Sequence, residues 1–321
     1  MKERLPVHRA LFAVVATFAL LIGTLGATVS AQGTPEAESG GGEIVVQHAQ
    51  GETTVPLNPE VVLTFDLASA DTLDKLGVAI AGLPKSNLGG DFARFDTDDI
   101  LDIGTLFEPD YEAVAAANPD LIIVANRSAE TLPELSKIAP TIDMTTSGTD
   151  FIGDLHTQTT TLAAIFEKEA EAAELLAGID AQIEELKTKT ADAGTGLVVL
   201  TSGGEVTALA PGGIRGGFIY DTLGFQVPVD DLEQATHGEP ISFEFLLEHN
   251  PDWLFVFDRD SVTGGDGVAA QELLDNAIVH ETTAWQNDQI VYLDPYNWYI
   301  VMNGLGTVQS MIDELDAAFA E

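Results

Sequence analysis

Three arginines are the residues whose type and position point most clearly to ligand binding. Arg215 lies between two pairs of glycines in the stretch APGGIRGGFIY, while Arg127 and Arg259 end two similar stretches, NPDLIIVANR and NPDWLFVFDR. A guanidinium is always charged and presents a planar fork of N–H donors that suits anionic oxygens. After residue 31 the chain contains one other arginine, Arg94. The three arginines therefore predict a site for an anionic ligand.

The remainder of the chain is strongly acidic. The 321 residues include 13 lysines and arginines against 52 aspartates and glutamates, for a formal net charge of -39. Phosphate binding needs a basic surface, so we predict no nucleic-acid partner. An acidic excess of this size is typical of a solvated surface suited to high salt.

The repeated NPD stretches place Arg127 and Arg259 at equivalent points of two α/β units. A helical segment, YEAVAAA or FEFLLEH, precedes each copy, and an apolar strand follows its NPD. Strands that alternate with helices indicate an α/β architecture with a largely parallel sheet. Ligands of such sheets bind beyond the carboxyl ends of the strands, where both arginines fall. We therefore predict a cationic pocket between two lobes, to which Arg215 also contributes.

A long helix is predicted to join these lobes. Residues 167–193 are rich in Ala, Glu and Leu and contain no proline. At 1.5 Å per residue such a helix extends roughly 35 to 40 Å, long enough to act as a rigid strut. The predicted fold is α/β, with two Rossmann-like lobes joined by one long α-helix. We assign residues 44–166 to the N-terminal lobe and residues 194–321 to the C-terminal lobe.

The N-terminal segment, residues 1–31, reads as a secretory signal peptide. Basic MKERLPVHR precedes apolar ALFAVVATFALLIGTLGA, and VSAQ offers a cleavage site near Ala31. The alternative is a retained anchor, because the apolar run is about long enough to span a bilayer. Residues 32–43 predict a flexible tether. The chain has no cysteine, so we expect no disulfides and an exported, periplasmic protein that is not lipid-anchored through Cys.

Two further segments carry side chains of interest. His237 lies in the loop QATHGEP, just before a predicted helix, and Tyr296, Trp298 and Tyr299 lie between a strand and the last helix in DPYNWYIVMNG. A loop histidine taken alone is more often solvated or a capping residue. Aromatic residues in such a loop either cap the core or line a ligand pocket. The sequence pattern leaves these alternatives open.

Motifs of common enzymes and of calcium sites do not fit this chain. GGIRGGF lacks the G-x-G-x-x-G spacing of dinucleotide sites, and no nucleophile elbow occurs. DRDSVTGGDG superficially suggests a calcium loop, but Val262 stands where an oxygen ligand is needed and Thr263 where glycine is needed. We therefore predict a binding protein rather than an enzyme.

Four stretches resemble one known family, the periplasmic siderophore-binding proteins of bacterial iron ABC importers. They are FDLASADTLDKLGVAIAGLPKSNL, GTLFEPDYEAVAAANPDLIIVANR, THGEPISFEFLLEHNPDWLFVFDR and VYLDPYNWYIVMNGL. Within this family the chain is most similar to the branch that binds ferric catecholates, including petrobactin. The resemblance covers residues 44–320 and implies two lobes on one long helix.

The resemblance also implies a role for each candidate residue. The implied ligand-binding residues are Arg127, Arg215, Arg259, Trp298 and Tyr296. His237 and Tyr299 would be ligands of the siderophore's iron, with Tyr296 as the second choice for the tyrosine. A catecholate with four oxygens leaves two iron positions open, which an imidazole and a phenolate fill, the metal displacing the phenolic proton. The Fe(III)–siderophore is the ligand, and no intrinsic cofactor is expected.

The implied partners are an ABC permease and its cytoplasmic ATPase, and we expect a monomer. Two alternatives stay open. In the first, the same fold carries another cargo, namely a hydroxamate siderophore, haem or cobalamin. In the second alternative the chain is an acidic surface-adhesion protein, and its three arginines are merely structural.

Overall fold

The computed structural model describes residues 42–320, apart from Asn87, Gln234, Thr236 and Asp266. The predicted signal peptide and most of the predicted tether lie outside the described residues. Glu43, which the sequence assigned to the tether, already belongs to a strand. Among the described residues, no helix combines the length and the hydrophobicity needed to cross a membrane.

The strands form a hairpin and two five-stranded sheets. In the antiparallel hairpin, β1 (Glu43–His48) pairs with β2 (Gly51–Pro56). The first five-stranded sheet contains β3 (Val62–Thr64), β4 (Gly82–Leu83), β5 (Leu101–Asp102), β6 (Leu121–Val124) and β7 (Thr141–Asp143). The second contains β8 (Gly196–Ser202), β9 (Glu205–Leu209), β10 (Glu239–Ile241), β11 (Trp253–Asp258) and β12 (Ile290–Leu293).

Both five-stranded sheets follow the same strand order. The orders are β5-β4-β3-β6-β7 and β10-β9-β8-β11-β12, so each sheet grows from its first strand to one side and then to the other. This is the order of a Rossmann sheet without its sixth strand, with a switch point beside the first strand. The first sheet is parallel, whereas β9 and β10 run antiparallel to their neighbours in the second. The predicted α/β class is confirmed, but the second sheet is mixed.

The helices connect these strands and cover the sheets. The α-helices are α1 (Leu67–Lys75), α2 (Tyr111–Ala117), α3 (Leu132–Leu135), α4 (Phe151–Ile165), α5 (Glu169–Thr190), α6 (Phe243–His249), α7 (Asp260–Thr263), α8 (Ala270–Leu274), α9 (Thr283–Gln286) and α10 (Leu305–Ala318). Turns of 3-10 helix cover Gly90–Phe95, Asn126–Thr131 and Val279–Glu281. Turns of π-helix cover Phe218–Thr222 and Tyr296–Val301.

The repeated NPD motif ends a helix and fixes the start of a strand in both halves of the chain. Asn118 and Asn250 follow α2 and α6 with left-handed φ angles of 48° and 41°, which asparagine tolerates better than most residues. The proline that follows cannot continue a helix. Asp120 and Asp252 then each accept a hydrogen bond from a backbone N–H group just before the central strand, at 2.8 and 2.7 Å. The repeat therefore places β6 and β11 beside β3 and β8 in the same way.

Helix α5 lies between the segments that form the two sheets, within the predicted limits 167–193. Acidic residues occupy its first turn and lysines its last, the order that the helix dipole favours. Its buried residues recur every three or four positions along one face and pack against α4 and α10. These residues are Ala172, Leu176, Ile179, Ile183, Leu186 and Thr190.

The last helix, α10, packs against both α5 and α1. Asp71 of α1 accepts hydrogen bonds from the backbone N–H and the hydroxyl of Thr307, at 2.6 and 3.1 Å. A Cβ atom added at Gly304 or Gly306 would come within 2.6 or 2.9 Å of the same carboxylate, so the close approach requires glycine. Helix α10 thereby connects the end of the chain to the first helix.

Candidate functional site

Arg127 reaches from the end of β6 to the turn that follows β12. Its Nη1 atom donates a hydrogen bond to the carbonyl oxygen of Ile300 at 2.9 Å, and its Nη2 atom donates to the carbonyl oxygen of Tyr299 at 3.0 Å. The guanidinium is only partly buried. The first repeated strand therefore carries a cation to the backbone of the aromatic segment.

Arg259, at the end of β11, contacts the same tyrosine from the other side. Its Nε atom donates to the phenolic oxygen of Tyr299 at 3.0 Å, and its Nη1 atom donates to Ser202 Oγ at 2.9 Å. The two arginines of the repeat thus meet at Tyr299, one at its carbonyl and one at its hydroxyl.

Arg215 completes this group by lying over the ring of Tyr299. The guanidinium carbon is 4.6 Å from the ring centroid, a cation–π distance. Arg215 also lines a cavity of about 240 Å³ whose other walls are Leu209, Ala210, Gly213, Ile214, Gly216 and Ala235. We call Arg127, Arg215, Arg259 and Tyr299 the arginine–tyrosine cluster.

The glycines around Arg215 serve different purposes. Gly212 has a φ angle of +74°, which L-residues rarely adopt. A Cβ atom at Gly216 would lie 2.9 Å from the carbonyl oxygen of Ala210, so this position needs glycine for packing. At Gly213 an added Cβ would meet only that oxygen, at 3.8 Å, and this residue faces the cavity. The turn itself therefore requires glycine at positions 212 and 216, whereas Gly213 leaves its backbone open to the cavity.

The positive charges of the cluster affect one another. Burial lowers the pKa of Arg215, the charges of Arg127 and Arg259 lower it further, and Tyr299 opposes both effects. An arginine nevertheless stays protonated in proteins. Like charges held together raise the free energy of the empty site, and an anion bound among them removes that cost.

His237 stands beside the cluster in the turn before β10. Its carbonyl oxygen accepts a hydrogen bond from Thr207 Oγ1 at 2.7 Å. Gly238 has a φ angle of +81°, and a Cβ there would be 2.5 Å from the carbonyl oxygen of Ala208, so only glycine lets this turn lie against β9. The His237 ring centroid is 6.5 Å from that of Tyr299. The imidazole is exposed, so a ligand reaches it directly.

The electrostatic surroundings favour a neutral imidazole at His237. Partial burial lowers its pKa below 6.5, and the charges of Arg215, Arg259 and Arg127 act in the same direction. A neutral imidazole has a lone pair available for a metal. His237 and Tyr299 supply two donors, so an iron bound between them would take its remaining donors from its own ligand.

The π-helical turn Tyr296–Val301 sends its aromatic side chains in different directions. Tyr296 packs on Phe92 with ring centroids 5.4 Å apart, and an added Cβ at Gly89 would be 3.2 Å from its ring. Burial raises the pKa of Tyr296 to about 12. Tyr296 thus packs with the apolar core of the first lobe, and its predicted place in the ligand pocket stays a prediction.

Trp298 is also a core residue, but in the second lobe. Its side chain is 2% exposed and packs beside Phe218 and Phe257, with ring centroids 5.7 and 5.9 Å away. Its Nε1 atom donates to Glu314 Oε2 at 2.6 Å. Its contacts are those of a core side chain, and its predicted place in the ligand pocket stays a prediction. Tyr299 is also buried, and its hydroxyl is the acceptor for Arg259.

Arg94 differs from the arginines of the repeat in its partners. It forms ion pairs of 3.0 Å with both Asp71 and Asp74. Arg127 and Arg259 donate to uncharged oxygens instead, and across residues 42–320, leaving aside the four undescribed positions, no carboxylate stands within ion-pair distance of either. Among the described residues, these two guanidinium groups therefore differ from that of Arg94, which two carboxylates hold.

Ser202, the hydroxyl partner of Arg259, is not among the residues predicted from the sequence. Ser202 is the last residue of β8, which pairs in parallel with β11 so that Thr201 lies beside Asp258. Its place at the carboxyl end of a central strand is the signal that could have identified it. That signal becomes useful only when β8 is known to neighbour β11.

Comparison with known proteins shows which proteins this chain resembles. A model of the family described as Periplasmic binding protein matches residues 62–297. The petrobactin-binding protein YclQ of Bacillus subtilis is 36% identical over 311 residues, which cover 93% of this chain and 97% of that protein. The ferric-anguibactin-binding protein FatB of Vibrio anguillarum is 33% identical over 280 residues, covering 85% and 86%.

Solved structures show the same fold. The crystal structure of YclQ has a TM-score of 0.84 at 35% identity, covering 87% of this chain and 99% of that one. The periplasmic catecholate-siderophore binding protein VctP of Vibrio cholerae has a TM-score of 0.80 at 30% identity, covering 86% and 100%. The two-sheet architecture described above is therefore shared with these proteins along almost their whole length.

Proposed function

The chain belongs to the Periplasmic binding protein family, and from this premise we propose that it captures a ferric catecholate siderophore outside the cytoplasm and delivers it to an ABC importer. Its relatives include proteins named for petrobactin, for ferric anguibactin and for a catecholate siderophore. The observation that carries the proposal is the convergence of Arg127 and Arg259 on Tyr299, with Arg215 over the tyrosine ring.

Electrostatics favour an anion at this position. A ferric catecholate carries several negative charges, and hydrogen bonds between guanidinium and anionic oxygen are stronger than those between neutral groups. A protein with a formal net charge of -39 repels anions at a distance. Binding therefore needs a local group of cations whose charge is not cancelled by carboxylates, and Arg127 and Arg259 meet that requirement.

Two donors of the protein are placed to complete the coordination of the iron. When the siderophore supplies four oxygens, His237 and Tyr299 would occupy the two remaining positions. The lowered pKa of His237 keeps its imidazole neutral, as ligation requires. Ferric iron displaces the phenolic proton of Tyr299, and the hydrogen bond from Arg259 then stabilises the phenolate.

The iron and the siderophore are cargo, and the protein binds them without catalysing a reaction or holding a cofactor of its own. Release requires an ABC permease and its cytoplasmic ATPase, and we propose that a monomeric, exported protein delivers the cargo to them. Tyr296 and Trp298 pack with the two cores.

A competitive binding panel tests this function. The purified protein is titrated with a ferric catecholate, a ferric hydroxamate, haem and cobalamin, and binding is followed by intrinsic fluorescence and by co-elution of the coloured complex. We expect the ferric catecholate to bind most tightly and to co-elute with a visible charge-transfer band. Preference for another member of the panel would replace the cargo, and binding of none would favour the adhesion alternative.

A further inference from the structure

Ser202 lies between the guanidinium of Arg259 and the carboxylate of Asp260. Its Oγ atom accepts a hydrogen bond from Arg259 Nη1 at 2.9 Å and donates one to Asp260 Oδ1 at 2.9 Å. We propose that Ser202 is a positioning residue that keeps Arg259 from pairing with Asp260, so that the charge of Arg259 stays available to the ligand. The consequence for affinity rests on the function proposed above.

Two carboxylates stand next to Arg259 in the sequence and compete with a ligand for its guanidinium. They belong to Asp258 and Asp260. A carboxylate in direct contact would occupy the N–H donors of the guanidinium and cancel most of its charge. An anionic ligand would then have to displace the carboxylate before it could bind, and affinity would fall.

The carboxylate of Asp260 is held on the far side of Ser202 by its surroundings. Its Oδ2 atom accepts a hydrogen bond from the backbone N–H of Gly203 at 2.6 Å. A Cβ atom added at Gly265 would lie 2.5 Å from Asp260 Oδ1, and one at Gly267 would clash with Oδ2. Gly265 and Gly267 of DRDSVTGGDG therefore let the backbone approach the Asp260 carboxylate closely, which explains the glycines of that stretch.

The other carboxylates beside the repeat arginines are held in a comparable way. Asp258 accepts hydrogen bonds from the backbone N–H groups of Ser261 and Ala270, at 3.3 and 3.0 Å. Asp66 caps α1 by accepting from the N–H and the hydroxyl of Ser69, at 2.8 and 2.7 Å. Each carboxylate is satisfied by a neighbouring donor. At Asp260 one of those donors, the Ser202 hydroxyl, also contacts the arginine.

The inference is tested by comparing the affinity of four proteins for a ferric catecholate: wild type, Ser202→Ala, Asp260→Asn and the double variant. Ser202→Ala removes the separating hydroxyl, and we expect affinity to fall about tenfold, the effect of a lost charge-assisted contact. In the double variant the competing charge is gone, so most of the affinity should return. Ser202→Thr keeps the hydroxyl and should stay near wild type.

Opposite results would overturn the inference. If Asp260→Asn deepens the loss caused by Ser202→Ala, or leaves it unchanged, Ser202 only supports the loop. Thermal unfolding confirms that each variant is folded, and Ser202→Cys, which has a similar shape but a weak hydrogen-bonding group, replaces Ser202→Ala should that variant unfold.

A measurement without ligand separates this inference from the proposed function. In a crystal structure of ligand-free Ser202→Ala, we expect the Arg259 guanidinium within ion-pair distance of Asp260. An Arg259 guanidinium that stays beyond ion-pair distance of Asp260 would contradict the spacing role, whether or not a ferric catecholate binds. Failure of wild type to bind the catecholate would instead reject the proposed function and leave the crystallographic result to decide the role of Ser202.

Discussion

Arg259 and Tyr299 are joined by a hydrogen bond of 3.0 Å from the guanidinium Nε atom to the phenolic oxygen. Arg127 holds the same tyrosine at its carbonyl oxygen, at 3.0 Å. Because the two arginines follow equivalent strands of two different sheets, Tyr299 links the switch point of one sheet to that of the other. The residue that we propose as an iron ligand is therefore positioned by both halves of the chain.

The arginines of the cluster should each contribute to binding. Replacing Arg127, Arg215 or Arg259 singly by Gln removes one charge-assisted contact, and we expect each change to weaken binding of a ferric catecholate by about 1 to 3 kcal/mol. The loss should grow with the negative charge of the complex. Isothermal titration calorimetry with two complexes of different charge measures both effects.

Arg94→Gln is the matched control for these variants. Arg94 is paired with Asp71, whose side chain is 3% exposed, and with Asp74. Its loss should lower the free energy of unfolding by about 1 to 3 kcal/mol, because a buried carboxylate loses a partner, and should leave ligand affinity nearly unchanged. An Arg94 variant that binds worse than the cluster variants would place the ligand elsewhere.

Trp298 should affect stability rather than binding. Trp298→Phe removes the donor to Glu314, whose pKa burial already raises, and leaves a gap beside Phe218. We expect the free energy of unfolding to fall by about 1 to 3 kcal/mol, while affinity for a ferric catecholate stays within about twofold of wild type. Denaturant unfolding and calorimetric titration of the same sample measure the two quantities. A large loss of affinity in a stable variant would return Trp298 to the ligand site.

Binding of a tetradentate ferric catecholate should follow the protonation of His237. Because the pKa of His237 lies below 6.5, its imidazole stays neutral as the pH falls through 6.5, and the contribution of His237 to affinity disappears only at lower pH. His237→Ala should lose this contribution and retain the pH dependence of the siderophore itself. Affinity profiles of the two proteins between neutral and mildly acidic pH test the assignment. Identical profile shapes would show that His237 does not ligate.

Stability should increase with salt. A formal net charge of -39 makes the folded chain repel itself, and the Debye length falls from about 10 Å at about 0.1 M salt to about 3 Å at about 1 M. We expect the midpoint of thermal unfolding to rise by roughly 5 °C or more over this range. A neutral osmolyte series controls for effects other than screening. A midpoint that stays constant or falls in NaCl would show that the acidic surface costs little stability.

The sequence predicted the elements whose chemistry is local. The NPD motif predicts both repeated strands. Its asparagine takes the left-handed conformation, its proline stops the helix, and its aspartate accepts a hydrogen bond from the neighbouring backbone. The same repeat placed Arg127 and Arg259 at the sheet edge where the structure has them. Each of these features depends on a few consecutive residues and is therefore visible in the sequence.

The directions of the aromatic side chains depended on contacts that the sequence does not show. Tyr296, Trp298 and Tyr299 lie within four consecutive positions, yet Trp298 packs in the second core while both tyrosines pack against the first, and of the two tyrosines it is Tyr299 whose hydroxyl meets Arg259. A π-helical turn sets these directions, and its geometry follows from tertiary packing. Ser202 was missed for a related reason, because its proximity to Arg259 arises from the pairing of β8 with β11.

Comparison of two kinds of ferric catecholate tests the proposed iron ligation most directly. A tetradentate bis-catecholate leaves two iron positions open, and a hexadentate tris-catecholate leaves none. His237→Ala and Tyr299→Phe should therefore weaken the tetradentate complex at least about tenfold and the hexadentate complex less than about twofold, on the scale of a lost charged contact. Tyr299→Phe should also shift the visible charge-transfer band, whereas the buried Tyr296→Phe should leave the band and both affinities unchanged. Equal losses for the two complexes would show that His237 and Tyr299 only line the pocket.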